Sequence, residues 1–129
     1  MKKLVLVVLA VLLVGGIVYA ADNPKDATAM VDKAVSYFQA NGQVKAFAAF
    51  DDPKGQFVKG DLYIYVLNMQ GDIVSHGANK KLIGQHILGY KDTDGKLFIQ
   101  EILDKAQKQG TVWVDYKWSN PVSKKGIYK

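Results

Sequence analysis

The chain has no cysteine, which excludes a disulfide framework and any thiolate nucleophile or metal ligand. Arginine is missing too, so every one of the 17 basic residues is a lysine. Arginine clamps phosphates and carboxylates through two parallel N–H bonds, and that clamp is therefore excluded. Histidine is limited to His76 and His86, too few for a histidine-rich metal cluster. Charge of one sign is also scarce: 17 lysines oppose 12 acidic residues, for a net +5. Without Lys2 and Lys3 fifteen lysines remain and the excess falls to +3, weak support for the basic face that nucleic-acid binding needs. No nucleic-acid partner and no cofactor are expected. No Ser/His/Asp arrangement is visible, so no enzymatic activity is expected either. At 129 residues the chain has room for one domain.

The long apolar run is at the N-terminus. Met1-Lys2-Lys3 supplies positive charge, Leu4 to Val14 an apolar core and Gly15-Gly16 a break. Val18-Tyr19-Ala20 then offers small residues before a cut ahead of Ala21. The pattern predicts a cleavable signal peptide over residues 1–20 and a single domain over 21–129. The alternative is an uncleaved membrane anchor, since Leu4 to Ala20 is at the short end of the spanning range. Either way the domain lies outside the cytoplasmic membrane. A two-lysine leader on a cysteine-free chain points to a bacterial periplasm, with an extracellular destination left open.

Asn23-Pro24 opens a helix, with asparagine suited to the cap and proline to the first turn. Ala27, Met30, Val31, Ala34, Val35 and Phe38 form one apolar stripe at helical period, expected to pack on a sheet, and Gly42 closes the helix. Gln43 to Phe50 reads as a short second helical segment burying Phe47 and Phe50. Asp51-Asp52-Pro53-Lys54-Gly55 reads as a turn rather than an acid/base pair.

Gly60 to Gly77 carries the β-hairpin around which the rest is organised. Leu62, Ile64 and Val66 alternate with Tyr63, Tyr65 and Leu67. Asn68 to Asp72 makes the reversal, with Gly71 free to take a positive φ, and Ile73 to His76 returns. Ala78 to Gly89 lacks periodicity and reads as an ordered loop over the sheet. Asp92, Asp94, Gly95 and Glu101 match part of a calcium loop, but Tyr90 stands where the anchoring carboxylate belongs. The reading preferred is Asp94 as the cap of a helix from Lys96 to Gln109, closed by Gly110. Thr111 to Trp118 alternates as a strand, and Ile127-Tyr128 makes only a stub of another.

The ordered set of Gly60 to Tyr65, Gly71 to His76, Leu82-Ile83-Gly84-Gln85, Asp92 to Gly95 and Tyr116 to Pro121 resembles the single Cache domain of the second type. That family provides the extracytoplasmic sensor modules of bacterial chemoreceptors and histidine kinases. The resemblance implies an α+β fold: a PAS-like antiparallel sheet with a long N-terminal helix along one face. It also implies a pocket between the sheet and the loops after the hairpin, with small organic acids as frequent ligands. Two departures stand out. His76 is followed by Gly77 where the family often has proline, and Val122 to Lys125 runs almost directly into Gly126 to Lys129. The sheet is therefore expected to be one strand short at the C-terminus.

A small carboxylate needs donors in a partly dry concavity. The expected ligand-binding residues are Tyr63, Tyr65, His76, Lys81, Tyr116 and Trp118, whose hydroxyls, imidazole, ammonium and indole N–H can all donate. Tyr63 and Tyr65 share one face, and either that face or the Leu62 face is the pocket side. The expected function is a periplasmic organic-acid sensor module for signal transduction or chemotaxis. Its partners would be the small carboxylate, a membrane receptor or sensor kinase, and a second copy in a homodimer through the N-terminal helix. The alternative is a small partner-binding or structural periplasmic protein with the same fold and no pocket.

Overall fold

The computed structural model describes residues 8–12, 23–60, 62–111, 113–119 and 126–128; for 8–12, 23–24, 118–119 and 126–128 the description is of the backbone. In chain order the elements are β1 (Val8–Leu12), α1 (Asn23–Asn41), α2 (Gln43–Phe50), β2 (Val58–Lys59), β3 (Leu62–Leu67), β4 (Ile73–His76), α3 (Phe98–Gln109), β5 (Lys117–Ser119) and β6 (Gly126–Tyr128). A 3₁₀ turn at Lys80–Leu82 follows β4.

The hairpin forms as the alternation and turn chemistry predict. β3 and β4 pair antiparallel, with Tyr65 opposite His76 and Val66 opposite Ser75. Gly71 takes a φ of 89° in the turn. The Asn68 side chain organises that turn, accepting from the Gln70 and Asp72 backbone N–H groups at 3.0 Å each. β2 lies end to end with β4 along one edge of β3, and β1 runs antiparallel along the other. Every residue of β3 is buried, because both faces of the strand are covered. One face, Leu62, Ile64 and Val66, packs with Ala27, Met30 and Ala34 of α1 and Ala46 and Phe50 of α2. The other, Tyr63, Tyr65 and Leu67, packs with Phe98, Ile99, Ile102 and Leu103 of α3, and with Ile87 and Tyr116.

The C-terminal strands do not join this sheet. β5 and β6 pair with each other, Trp118 opposite Ile127, in a separate two-stranded sheet. Neither C-terminal strand therefore borders β3, and the place beside it is held by β1, part of the segment read as a leader.

Three sequence expectations are corrected. Val35 was placed on the buried stripe of α1 but is 37% exposed, whereas Ala27, Met30 and Ala34 are buried. Tyr37, not on the expected stripe, packs into the same core and meets the Phe57 ring edge-on at 5.4 Å. The buried face is thus rotated towards Ala27, Ala34 and Tyr37, because α1 must accommodate α2 as well as the sheet. Asp94 does not cap α3, whose N-cap residue is Leu97 without a side-chain cap bond. Asp92 does the local work instead: its carboxylate accepts from the backbone N–H of Asp94 and of Lys96, both at 2.9 Å, and of Lys117 at 3.0 Å. Finally, the expected strand from Thr111 to Trp118 is regular only from Lys117 on.

Candidate functional site

Tyr63 and Tyr65 project to the same side because they are two residues apart on β3, and the α3 side is the one they face. His76 reaches the same place from β4, opposite Tyr65 in the register. Its ring lies 4.9 Å from that of Tyr63 and is stacked 5.8 Å from that of Tyr65. Tyr116 arrives just ahead of β5, where its ring stacks on Phe98 of α3 at 4.2 Å. The Tyr65 and Tyr116 hydroxyls are 3.1 Å apart and buried.

His76 is held on both sides of its Cα. Its backbone N–H and the Ser75 hydroxyl both donate to Asp51 Oδ1, which ties β4 to the end of α2. Its ring Nδ1 accepts from the backbone N–H of Ala78 at 3.1 Å and of Asn79 at 2.8 Å. With Nδ1 acting as acceptor, the ring proton sits on Nε2, and the imidazole presents a donor at that end. The phenols are donors as well. Burial pushes the Tyr63, Tyr65 and Tyr116 hydroxyls well above their usual range, and the neighbouring Tyr65 adds to the shifts of Tyr63 and Tyr116. All three stay protonated at neutral pH.

The Tyr65–Tyr116 pair has two hydroxyl protons, and the bond between them uses one. The second has no acceptor among the described residues. A small group with a negative oxygen would satisfy it.

Four of the six expected site residues, Tyr63, Tyr65, His76 and Tyr116, are thus brought together. Lys81 is not part of the cluster: it is exposed on the 3₁₀ turn that Asn79 caps. Trp118 belongs to β5, and its side chain lies outside the described residues. The covering loop is present, with Leu82, Ile83 and Leu88 packed against the cluster. Its return stretch is bonded to the hairpin, Gly84 N–H donating to Ile73 C=O at 2.7 Å and Ile87 N–H to Gly71 C=O at 2.8 Å. His86 is a surface residue whose Nδ1 meets Asp72 Oδ1 at 2.6 Å. Hydrogen bonds from Asn68 and from His86 hold the Asp72 carboxyl below its usual range. The sequence reading did not assign Asp51, Asn79 or Phe98 to the site. Asp51 carried a signal, an acidic residue at a helix end, but its partners are remote in sequence. Phe98 was legible only as core.

Residues 33–129 match the family described as Single Cache domain 2, and the chain belongs to that family. Among solved structures, a methyl-accepting chemotaxis protein from Vibrio parahaemolyticus RIMD 2210633 superposes with a TM-score of 0.69 at 19% identity, over 84% of this chain and 76% of that one. A periplasmic sensor domain of a chemotaxis protein gives 0.60 at 25% identity, over 81% and 74%. A Cache chemosensory domain, solved as the structural basis for carboxylic acid recognition, gives 0.61 at 20% identity, over 86% and 82%. No curated protein matches the chain. The α+β, PAS-like architecture expected from the sequence is the one these neighbours share.

Proposed function

We propose that this chain is an extracytoplasmic sensing module that binds a small carboxylate at the Tyr63–Tyr65–Tyr116–His76 cluster and passes the binding signal to a membrane receptor or sensor kinase. One observation carries this reading: two buried tyrosine hydroxyls share a single hydrogen bond, and among the described residues the second O–H has no acceptor. Family membership and the likeness to chemoreceptor sensor domains, one of them a carboxylic acid binder, support it. The module is a binder rather than a catalyst. Lacking arginine, the site has no bidentate clamp, and affinity is expected in the micromolar to millimolar range, about −8 to −4 kcal/mol.

Calorimetric titration with acetate, propionate, pyruvate, lactate and succinate tests the reading. Saturable heat from at least one acid, with a matching rise in melting temperature, is expected. Tyr65→Phe should weaken it. No heat from any of them with a folded sample would favour the alternative, a partner-binding protein without a pocket.

Export is part of the same proposal. Residues 1–20 act as a signal peptide and are removed after Ala20 to leave the domain in the periplasm; an uncleaved anchor is the competing possibility. Protein recovered from the periplasm should begin at Ala21 by mass spectrometry, and a full-length membrane-bound species as the sole product would refute cleavage.

A further inference from the structure

Among the described residues, β3 is the element covered on both faces and paired along both edges. Its two faces bury the Leu62 set against α1 and α2 and the Tyr63 set against α3. One edge carries β2 and β4, which are close in sequence and stay with it. The other edge carries β1 alone, in five register pairs from Val8 opposite Leu67 to Leu12 opposite Tyr63. α1 also lies against β1, so a strand in this position, although at the end of the sheet order, has a helix beside it.

The position is selective. The strand that occupies it, Val8-Leu9-Ala10-Val11-Leu12, is apolar at every residue rather than at alternate ones. The later strands differ: Lys117 places charge in β5, and β6 is three residues long and already paired with β5. Taking β1 away would therefore leave the edge of a buried strand with unpaired backbone N–H and C=O groups, which is costly and makes a template for strand addition.

We propose that the β3 edge is a strand-acceptor site: with the N-terminal segment in place it holds Val8–Leu12, and with that segment removed it takes an extended, uniformly apolar strand of a second polypeptide, antiparallel to β3. Recognition is by main-chain hydrogen bonds, with register set by the side chains, since a slip of one residue would exchange the two faces. The site uses the main chain of β3 and not the hydroxyls of Tyr63 and Tyr65, so the proposal stands whether or not a carboxylate binds at the tyrosine cluster.

The test uses the full chain with a protease site introduced after Ala20, so that the edge can be opened in purified protein. After cutting, the N-terminal fragment should co-elute with the domain and exchange for a labelled Leu4–Val14 peptide carrying flanking lysines; the uncut chain should not take up the peptide. The chain has no cysteine, so register can be read by cross-linking. In the cut Val66→Cys variant, a peptide with cysteine in place of Leu9 should form the disulfide several-fold faster than one with cysteine in place of Ala10, because Leu9 is the register partner of Val66. If cutting unfolds the domain and the peptide restores it, the acceptor site is upheld. Loss of the fragment from a domain that stays folded and ignores the peptide would overturn the proposal. So would equal cross-linking at both positions, equal uptake by cut and uncut chains, or dimerisation of the cut chain that excludes the peptide.

Discussion

Gly77 shows how little freedom single residues have around the hairpin. A Cβ there would lie 2.9 Å from the Phe50 carbonyl oxygen and 3.3 Å from that of Ile64. Its N–H donates to Ile64 C=O at 2.9 Å, a bond proline cannot make, so the departure from the family's frequent proline has a local reason. Gly77→Ala should cost about 1–3 kcal/mol in chemical denaturation, the usual range for overpacking. Gly89→Ala, where nothing lies within 4 Å of the added carbon, should change stability by less than about 1 kcal/mol. Asp92 gives a second residue-scale test. Backbone N–H bonds, first from Lys117 and then from Lys96 and Asp94, hold its carboxyl below the usual range. A lowered folded-state pKa means the contribution is complete above the unfolded value of about 3.9 and is lost as pH falls through the folded one. Asp92→Asn should therefore flatten the acid limb of the stability profile below about pH 4. The Tyr65–Tyr116 pair can be weighed by a double-mutant cycle. Either single change to phenylalanine strands a buried hydroxyl and should cost about 1–3 kcal/mol, while the double change should cost less than the sum.

At the scale of elements, the orientation of α1 is the feature most open to test. Ala34 is fully buried between α2 and the sheet, and Val35, one position on, is 37% exposed. Ala34→Asp would place an unpaired charge in the core and should destabilise by more than about 3 kcal/mol. Val35→Asp should stay within about 1 kcal/mol, since surface changes are small. Equal effects in urea titrations would show that the helix is turned the other way. Lys33 is not a bystander on this helix: its ammonium donates to the Gln56 carbonyl at 3.2 Å and sits 5.0 Å from the centre of the Phe57 ring. It tethers α1 to the turn before β2.

At the scale of the whole molecule, β3 joins two cores, an aliphatic and phenylalanine layer under α1 and α2 and a tyrosine-rich layer under α3. The second layer makes the fold sensitive to alkali. Tyr63, Tyr65 and Tyr116 have folded-state pKa values raised by burial above the unfolded value of about 10. Raised values mean the stability is complete below about pH 10 and declines as pH rises beyond it, because the unfolded chain ionises first. The tyrosinate absorbance of these three of the seven tyrosines should therefore appear together with cooperative unfolding rather than before it. Ionisation of Tyr63, Tyr65 and Tyr116 in a chain that remains folded would contradict the buried cluster.

The sequence alone determined the local elements. Period-two alternation and the Asn68 to Asp72 turn specify the hairpin, glycines at 42 and 110 end the helices, and the tyrosines at 63 and 65 share a face because strand geometry leaves no choice. Four of the expected site residues were legible for the same reason, as strand or near-strand positions with donor side chains. What only the tertiary structure decided was which surfaces meet. The helical period put Val35 on the apolar stripe and left Tyr37 off it, and the packing of α1 against α2 as well as the sheet turns Tyr37 inward instead. Nothing local says that Asp51 receives Ser75 and His76, or that Asp92 rather than Asp94 gathers the N–H groups, because those partners come from elements far along the chain. The same holds for the apolar N-terminal run. Its composition reads as an address, and only the edge of β3 makes Val8–Leu12 a β-strand, because pairing there satisfies its backbone.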